Sequence, residues 1–129
     1  MNHVSASRIF VVDDESVIAS TLAAILNMNG FSARAFSGAL EALAAASADI
    51  PDLLISDVAM PELSGIELAI RMKAQYPRCK ILLFSGQAHT TDLLEYGRHR
   101  GYQFRLLPKP VSPEELLSEI NKIGEGVCA

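Results

Sequence analysis

Six polar residues stand where this chain could do chemistry: Asp13, Asp14 and Glu15, then Asp57, then Ser85, then Lys109. Each sits at or just beyond the end of a short apolar run, at residues 9–12, 53–56, 81–84 and 104–107. Taken singly, each residue has an ordinary explanation. An aspartate after a strand usually caps a helix or shapes a loop, so Asp13 or Asp14 could simply cap the helix that follows. A lone serine is more often a turn residue, and a Lys-Pro pair usually marks a loop. The combination says more, because four run ends contribute complementary groups.

If those runs are neighbouring strands of one sheet, three carboxylates from two strands crowd a small pocket. Such groups repel strongly where water is partly excluded. A hard divalent cation relieves that repulsion, and Mg2+ prefers oxygen ligands while keeping several waters. Calcium fits less well, since it takes more protein oxygens than this pocket offers. Lys109 adds a further positive charge. A carboxylate beside Mg2+ and a lysine can act as a nucleophile toward phosphorus. Phosphoryl transfer asks of a protein mainly positioning and charge neutralisation. Mg2+ and Lys109 would each meet a phosphoryl oxygen, and the Ser85 hydroxyl would donate a hydrogen bond to a third.

The elements that must position these groups are legible in the hydrophobic pattern. Residues 9–12 form an apolar, β-branched run that reads as a buried strand. Ile18, Leu22, Ile25 and Leu26 recur at helical spacing, and Gly30 stands where a helix end favours a left-handed residue. Residues 31–36 alternate as a second strand, and Ser37 is a candidate cap for a second helix through Leu40, Leu43 and Ala44. Residues 53–56 give a third strand. A third helix through Ile66, Ala69 and Ile70 must stop before Pro77. Residues 81–84 are the fourth strand, residues 91–100 a fourth helix of weaker period, and residues 104–107 a fifth strand. Ser112, Pro113 and Glu115 supply an N-cap, a first-turn proline and a capping-box glutamate for a last helix with apolar face Leu116, Ile120 and Ile123.

Five strands, each followed by a helix, predict a parallel sheet covered on both faces. The expected fold class is α/β, a flavodoxin-like (βα)5 three-layer sandwich with strand order 2-1-3-4-5, which places a ligand at the carboxyl ends of the strands. No linker or internal repeat is visible, so residues 1–129 are expected to form a single domain.

Composition narrows the function classes. The chain has 129 residues, half of them hydrophobic, which suffices for a real core. Its net charge of −4 argues against a non-specific nucleic-acid surface. The densest basic stretch, residues 98–105, is diluted by Asp92 and Glu95 nearby and reads as a solvated helix end. Cys79 and Cys128 are far apart and outside any C-x-x-C pair, so neither a disulfide framework nor a zinc site is indicated. His3, His89 and His99 are scattered without metal-ligand spacing. Neither a signal peptide nor a membrane-length apolar run is present, and a cytoplasmic protein is expected.

The segments Val11-Val12-Asp13-Asp14-Glu15, Leu54-Ile55-Ser56-Asp57-Val58-Ala59-Met60-Pro61, Gly65, Phe84-Ser85-Gly86 and Lys109-Pro110 together resemble the signature of response-regulator receiver domains, the chemotaxis-regulator-like modules of two-component signalling. The resemblance covers roughly residues 7–124. It implies that Asp57 is the phosphoacceptor. It implies that Asp13 and Asp14 hold Mg2+, one of them through water, with Asp57 and the backbone carbonyl of Ala59 as further ligands. Ser85 resembles the switch hydroxyl and Lys109 the lysine that contacts the phosphoryl group, and the Lys109–Pro110 bond resembles one that is cis in the family. The implied partners are a sensor histidine kinase or phosphotransfer protein and a downstream protein. Direct contact with nucleic acid or membrane is not expected, and a homodimer formed on phosphorylation is open.

The chain also departs from the family pattern. Leu106 stands where an aromatic residue is common, and Phe104, one pleat earlier, is no obvious substitute. Pro108 directly precedes Lys109, which suits a strand end or a sheet edge. Ala59 replaces a common polar residue, leaving the lifetime of the phosphorylated state open. The expected role is a switching module rather than a turnover enzyme, with phosphotransfer and dephosphorylation catalysed on itself. One rival is a Mg2+-dependent phosphatase with an aspartyl-phosphate intermediate, but such enzymes carry a second acid where this chain has Ala59. Another is a pseudo-receiver that works without phosphorylation, which the full complement of polar residues disfavours. The third is a piece of a larger regulator.

Overall fold

The three middle strands are apolar along nearly their whole length because both of their faces are covered. In the computed structural model, which describes residues 7–86 and 90–128, β1 (Arg8–Val12), β3 (Leu53–Asp57) and β4 (Lys80–Ser85) are buried at nearly every position, whereas β2 (Ser32–Phe36) and β5 (Arg105–Pro108) are largely exposed. The exposed pair are the edges. All five strands are parallel in the order β2-β1-β3-β4-β5, as the sequence predicts. The connecting helices are α1 (Ser16–Met28), α2 (Ala39–Ala46), α3 (Gly65–Gln75), α4 (Thr90–His99) and α5 (Pro113–Cys128).

Successive strand residues point to opposite faces, and this divides the core in two. Phe10, Val12, Leu54, Val58 and Leu83 pack against α2 and α3. Ile9, Val11, Leu53, Ile55, Leu82 and Phe84 pack against Ala19, Ala23 and Leu26 of α1 and Leu116 and Ile120 of α5. The result is a three-layer sandwich with the sheet in the middle. Among the described residues, no helix is long and apolar enough to cross a membrane.

Several helix ends follow directly from local chemistry. Gly30 has φ 94°, and the pair Phe31 N to Leu26 O (3.1 Å) and Gly30 N to Asn27 O (3.3 Å) closes α1 in a Schellman motif. α3 ends at Gln75, two residues before Pro77. The Ser112–Glu115 capping box forms in both directions, each bond 3.1 Å.

Three expectations need correction. Ser37 does not cap α2: the helix starts one residue later, its N-cap is the extended Gly38, and no side chain caps it. α4 runs Thr90–His99, one residue earlier than the weak period suggests. β5 starts at Arg105 and includes Pro108 at its end; Phe104 lies ahead of the strand, its ring stacked on Tyr102 (centroids 5.6 Å apart, 9° between planes). As the last residue of an edge strand, Pro108 sits where a missing N–H costs little.

Candidate functional site

Parallel strands put all their carboxyl ends at one rim of the sheet. β1 and β3 are neighbours at the point where the chain reverses its direction of winding, and a crevice opens there. Asp13 follows β1 and is 1% exposed. Its N–H donates to the carbonyl of Phe36 (3.1 Å), and its Oδ1 accepts from the N–H of Glu15 (2.9 Å) at the start of α1. Asp13 thus shapes the turn before α1 with one oxygen, but neither it nor Asp14 caps the helix, whose N-cap is Glu15 with no side-chain cap bond; the other Asp13 oxygen faces the crevice. Asp14 is exposed beside it. Asp57 is the last residue of β3 and is 8% exposed.

One carboxylate oxygen from each of Asp13, Asp14 and Asp57 lies within 4.8 Å of the other two, forming the group of potential metal ligands found among the described residues. Lys109 Nζ stands 3.3 Å from Asp13 Oδ2 and 3.2 Å from Asp57 Oδ2. The Lys109 backbone N–H donates to the Ser85 carbonyl (3.0 Å), which ties the β5–α5 loop to the end of β4, and the Lys109–Pro110 bond is cis. Ser85 ends β4, the strand that pairs with β3. Ala59, Glu15, Ile18 and Gly86 line the same pocket as Asp14, Asp57 and Lys109.

Burial pushes the Asp57 carboxyl above its usual range; Lys109 opposes this, while Asp13 and Asp14 add to it. Burial alone would lower the Lys109 ammonium, but Asp57 and Asp13 outweigh it and raise its pKa. Three carboxylates thus face one ammonium, and a divalent cation would balance the excess. The donors are all hard oxygens, and the pocket is open enough for water, which suits Mg2+ better than a soft metal.

The structure brings Asp13, Asp14, Asp57, Ala59 and Lys109 around one pocket and sets Ser85 at the adjoining strand end. Met60 packs against the core, as a loop residue would. His89 lies outside the described residues, and His99 is exposed at the end of α4. Two features escaped the sequence reading. Ser56, fully buried in β3, donates its hydroxyl to the carbonyl of Asp57 (2.9 Å); a lone polar residue in an apolar run was its only signal. Tyr96 of α4 donates to Glu67 of α3 (3.0 Å) and accepts from Arg100 (2.6 Å), a contact between helices that no sequence spacing announces.

Comparison with known proteins gives a consistent picture. The family model described as the response regulator receiver domain matches residues 9–121. The chain is 32% identical to the DNA-binding transcriptional regulator NtrC of Proteus hauseri over 115 residues, covering 89% of this chain and 24% of that protein. It is 31% identical to the transcriptional regulatory protein CreB of Escherichia coli K12, covering 89% of this chain and 49% of that one. The chain therefore spans half or less of the length of these relatives. Among solved structures, a CheY-like response regulator receiver domain protein from Methanospirillum hungatei superposes with a TM-score of 0.81 at 26% identity, covering 91% of this chain and 92% of that one.

Proposed function

The chain belongs to the response regulator receiver domain family, and from that premise we propose that Asp57 accepts a phosphoryl group in a two-component phosphorelay and that its phosphorylation switches partner binding. The observation that carries this reading is the placing of Lys109 Nζ within 3.3 Å of both Asp13 and Asp57, beside Asp14. An acid that must bond to phosphorus is surrounded by the charges that phosphoryl transfer requires.

Asp13, Asp14, Asp57 and the backbone carbonyl of Ala59 would hold Mg2+. When bound, Mg2+ would neutralise the surplus negative charge and polarise the phosphoryl group. The chain's own residues do the rest. Asp57 supplies the attacking oxygen: a bond forms from its ionised carboxylate to phosphorus, and the phosphorus–nitrogen bond of a phosphohistidine on the donor breaks, the released imidazole nitrogen taking a proton from solvent. Lys109 releases part of its hold on Asp57 to meet a phosphoryl oxygen, and the Ser85 hydroxyl donates to another. The donor is a sensor histidine kinase or phosphotransfer protein in the cytoplasm, and the receiver is its own substrate rather than a turnover enzyme. The absence of a second acid at Ala59 supports this reading over a phosphatase.

Acetyl phosphate with Mg2+ tests the proposal. Intact mass should show one acid-labile phosphate on the wild type and none on Asp57→Asn. Equal labelling of the variant would remove Asp57 as the acceptor.

A further inference from the structure

Ser56 is the one hydroxyl in a strand otherwise built of Leu, Ile and Asp57. It is fully buried, and in the sheet register it lies between Val12 of β1 and Leu83 of β4. Val12 and Leu83 both belong to the core on the α2–α3 side, as do Leu54 and Val58, two residues to either side of Ser56. An unbonded hydroxyl there would cost free energy for its lost hydration. This one donates to the carbonyl oxygen of Asp57 at 2.9 Å.

Gly65, the first residue of α3, presses on the same carbonyl. A Cβ on Gly65 would be driven into the Asp57 carbonyl oxygen and would stand 3.0 Å from Ser56 Oγ. The Gly65 N–H donates to the Val58 carbonyl (2.8 Å), and the Val58 N–H donates to Phe84 (3.0 Å). The peptide plane between Asp57 and Val58 is thus fixed from the hydroxyl side, the helix side and the β4 side at once. That plane ends at the Asp57 Cα, so fixing it restricts the backbone from which the carboxylate departs.

We propose that Ser56 is a positioning residue for phosphoryl transfer, its hydroxyl holding the Asp57 carbonyl so that the carboxylate is aimed along the line of attack. The inference rests on Asp57 being the phosphoacceptor. Ser56 acts through the Asp57 backbone, and its effect falls on the rate at saturating donor rather than on donor binding. Misplacing a reacting group slows the chemical step far more than it weakens binding.

The test compares Ser56→Thr with Ser56→Val, which share a shape and differ by the hydroxyl. Labelling by acetyl phosphate is followed at saturating Mg2+ over a range of donor concentrations, with thermal melts confirming that both variants fold. The threonine should label nearly as fast as wild type. The valine should lose roughly fivefold or more in maximal rate, the scale of one hydrogen bond plus misalignment, at an unchanged half-saturating donor concentration. Ser56→Ala replaces either variant that unfolds and should show the same loss against wild type. Equal maximal rates for the hydroxyl-bearing and hydroxyl-free proteins, with the wild type labelled, overturn this proposal alone. A wild type that takes no label overturns the phosphoacceptor reading and this proposal with it.

Discussion

Asp57 is held in an expensive state when no cation is present. Burial raises its carboxyl above the ordinary range, and Asp13 and Asp14 reinforce the shift. A carboxyl raised in the folded state favours folding at pH below its unfolded value, and that contribution is lost as pH rises through the folded value. In metal-free protein, Asp57→Asn should therefore melt a few degrees above the wild type near neutral pH. The difference should shrink as pH falls and the wild-type carboxyl itself becomes protonated; thermal melts of both proteins across an acid-to-neutral series check it. A constant gap would mean that charge at Asp57 is not the cause. Asp14 is exposed, and Asp14→Ala should fold normally yet bind Mg2+ about tenfold more weakly or worse by calorimetric titration. Lys109 bridges Asp13 and Asp57. Lys109→Ala should still accept phosphate from acetyl phosphate, more slowly, yet show no change of hydrogen exchange with beryllofluoride. A full response would make the lysine structural only.

At the scale of elements, α4 is held by few buried side chains. Of its residues with a described burial, only Gly97 is buried, and its neighbours there are Ile66 of α3 and Phe104. Polar contacts compensate. Burial alone would raise the Glu67 carboxyl, but the Tyr96 hydroxyl together with Arg71 and Arg100 holds it below its usual range. Tyr96→Phe removes both the 3.0 Å bond to Glu67 and the 2.6 Å bond from Arg100. Amide exchange in α4 should then accelerate by roughly fivefold, the scale of one hydrogen bond of about 1 kcal/mol, with the sheet unaffected; exchange confined to other helices would refute the latch. Leu106 bears on the same helix. It is about one-third exposed and shares a shallow pocket with Ile66, Leu94, Tyr102 and Phe104. Were this side chain to turn inward in a switch, a leucine would bury less apolar area than a large aromatic, so inward and outward positions would differ less in free energy. The response to beryllofluoride is expected in residues 86–100 rather than in β5, and exchange changes confined to β5 would sink that expectation.

At the scale of the molecule, the pocket depends on a sheet held from both sides. Leu116 of α5 is fully buried against the α1–α5 side. Leu116→Ala should lower unfolding free energy by about 2–5 kcal/mol in a denaturant titration, with Asp57 still labelled by acetyl phosphate while the fold persists. The strands, most helix bounds and the acidic pocket were legible beforehand because they obey short-range rules: buried strands read as apolar runs, Gly30 and the Ser112–Glu115 box mark helix ends, and parallel strands deliver their last residues to one rim. Ser37 misled because a good capping residue is only a candidate until the chain's path puts it at a helix start, and Gly38 took that place. The sequence by itself determined the alternation of strands and helices and the identity of the acids and the lysine; it narrowed the strand order to a few topologies, of which the structure shows the expected one. Only the tertiary structure decided that Lys109 is shared between Asp13 and Asp57, that Ser56 and Gly65 converge on one carbonyl, and that Tyr96 ties α4 to α3. Those contacts join residues far apart in the chain or depend on distances of a few tenths of an ångström, and no local pattern of residue types carries that information.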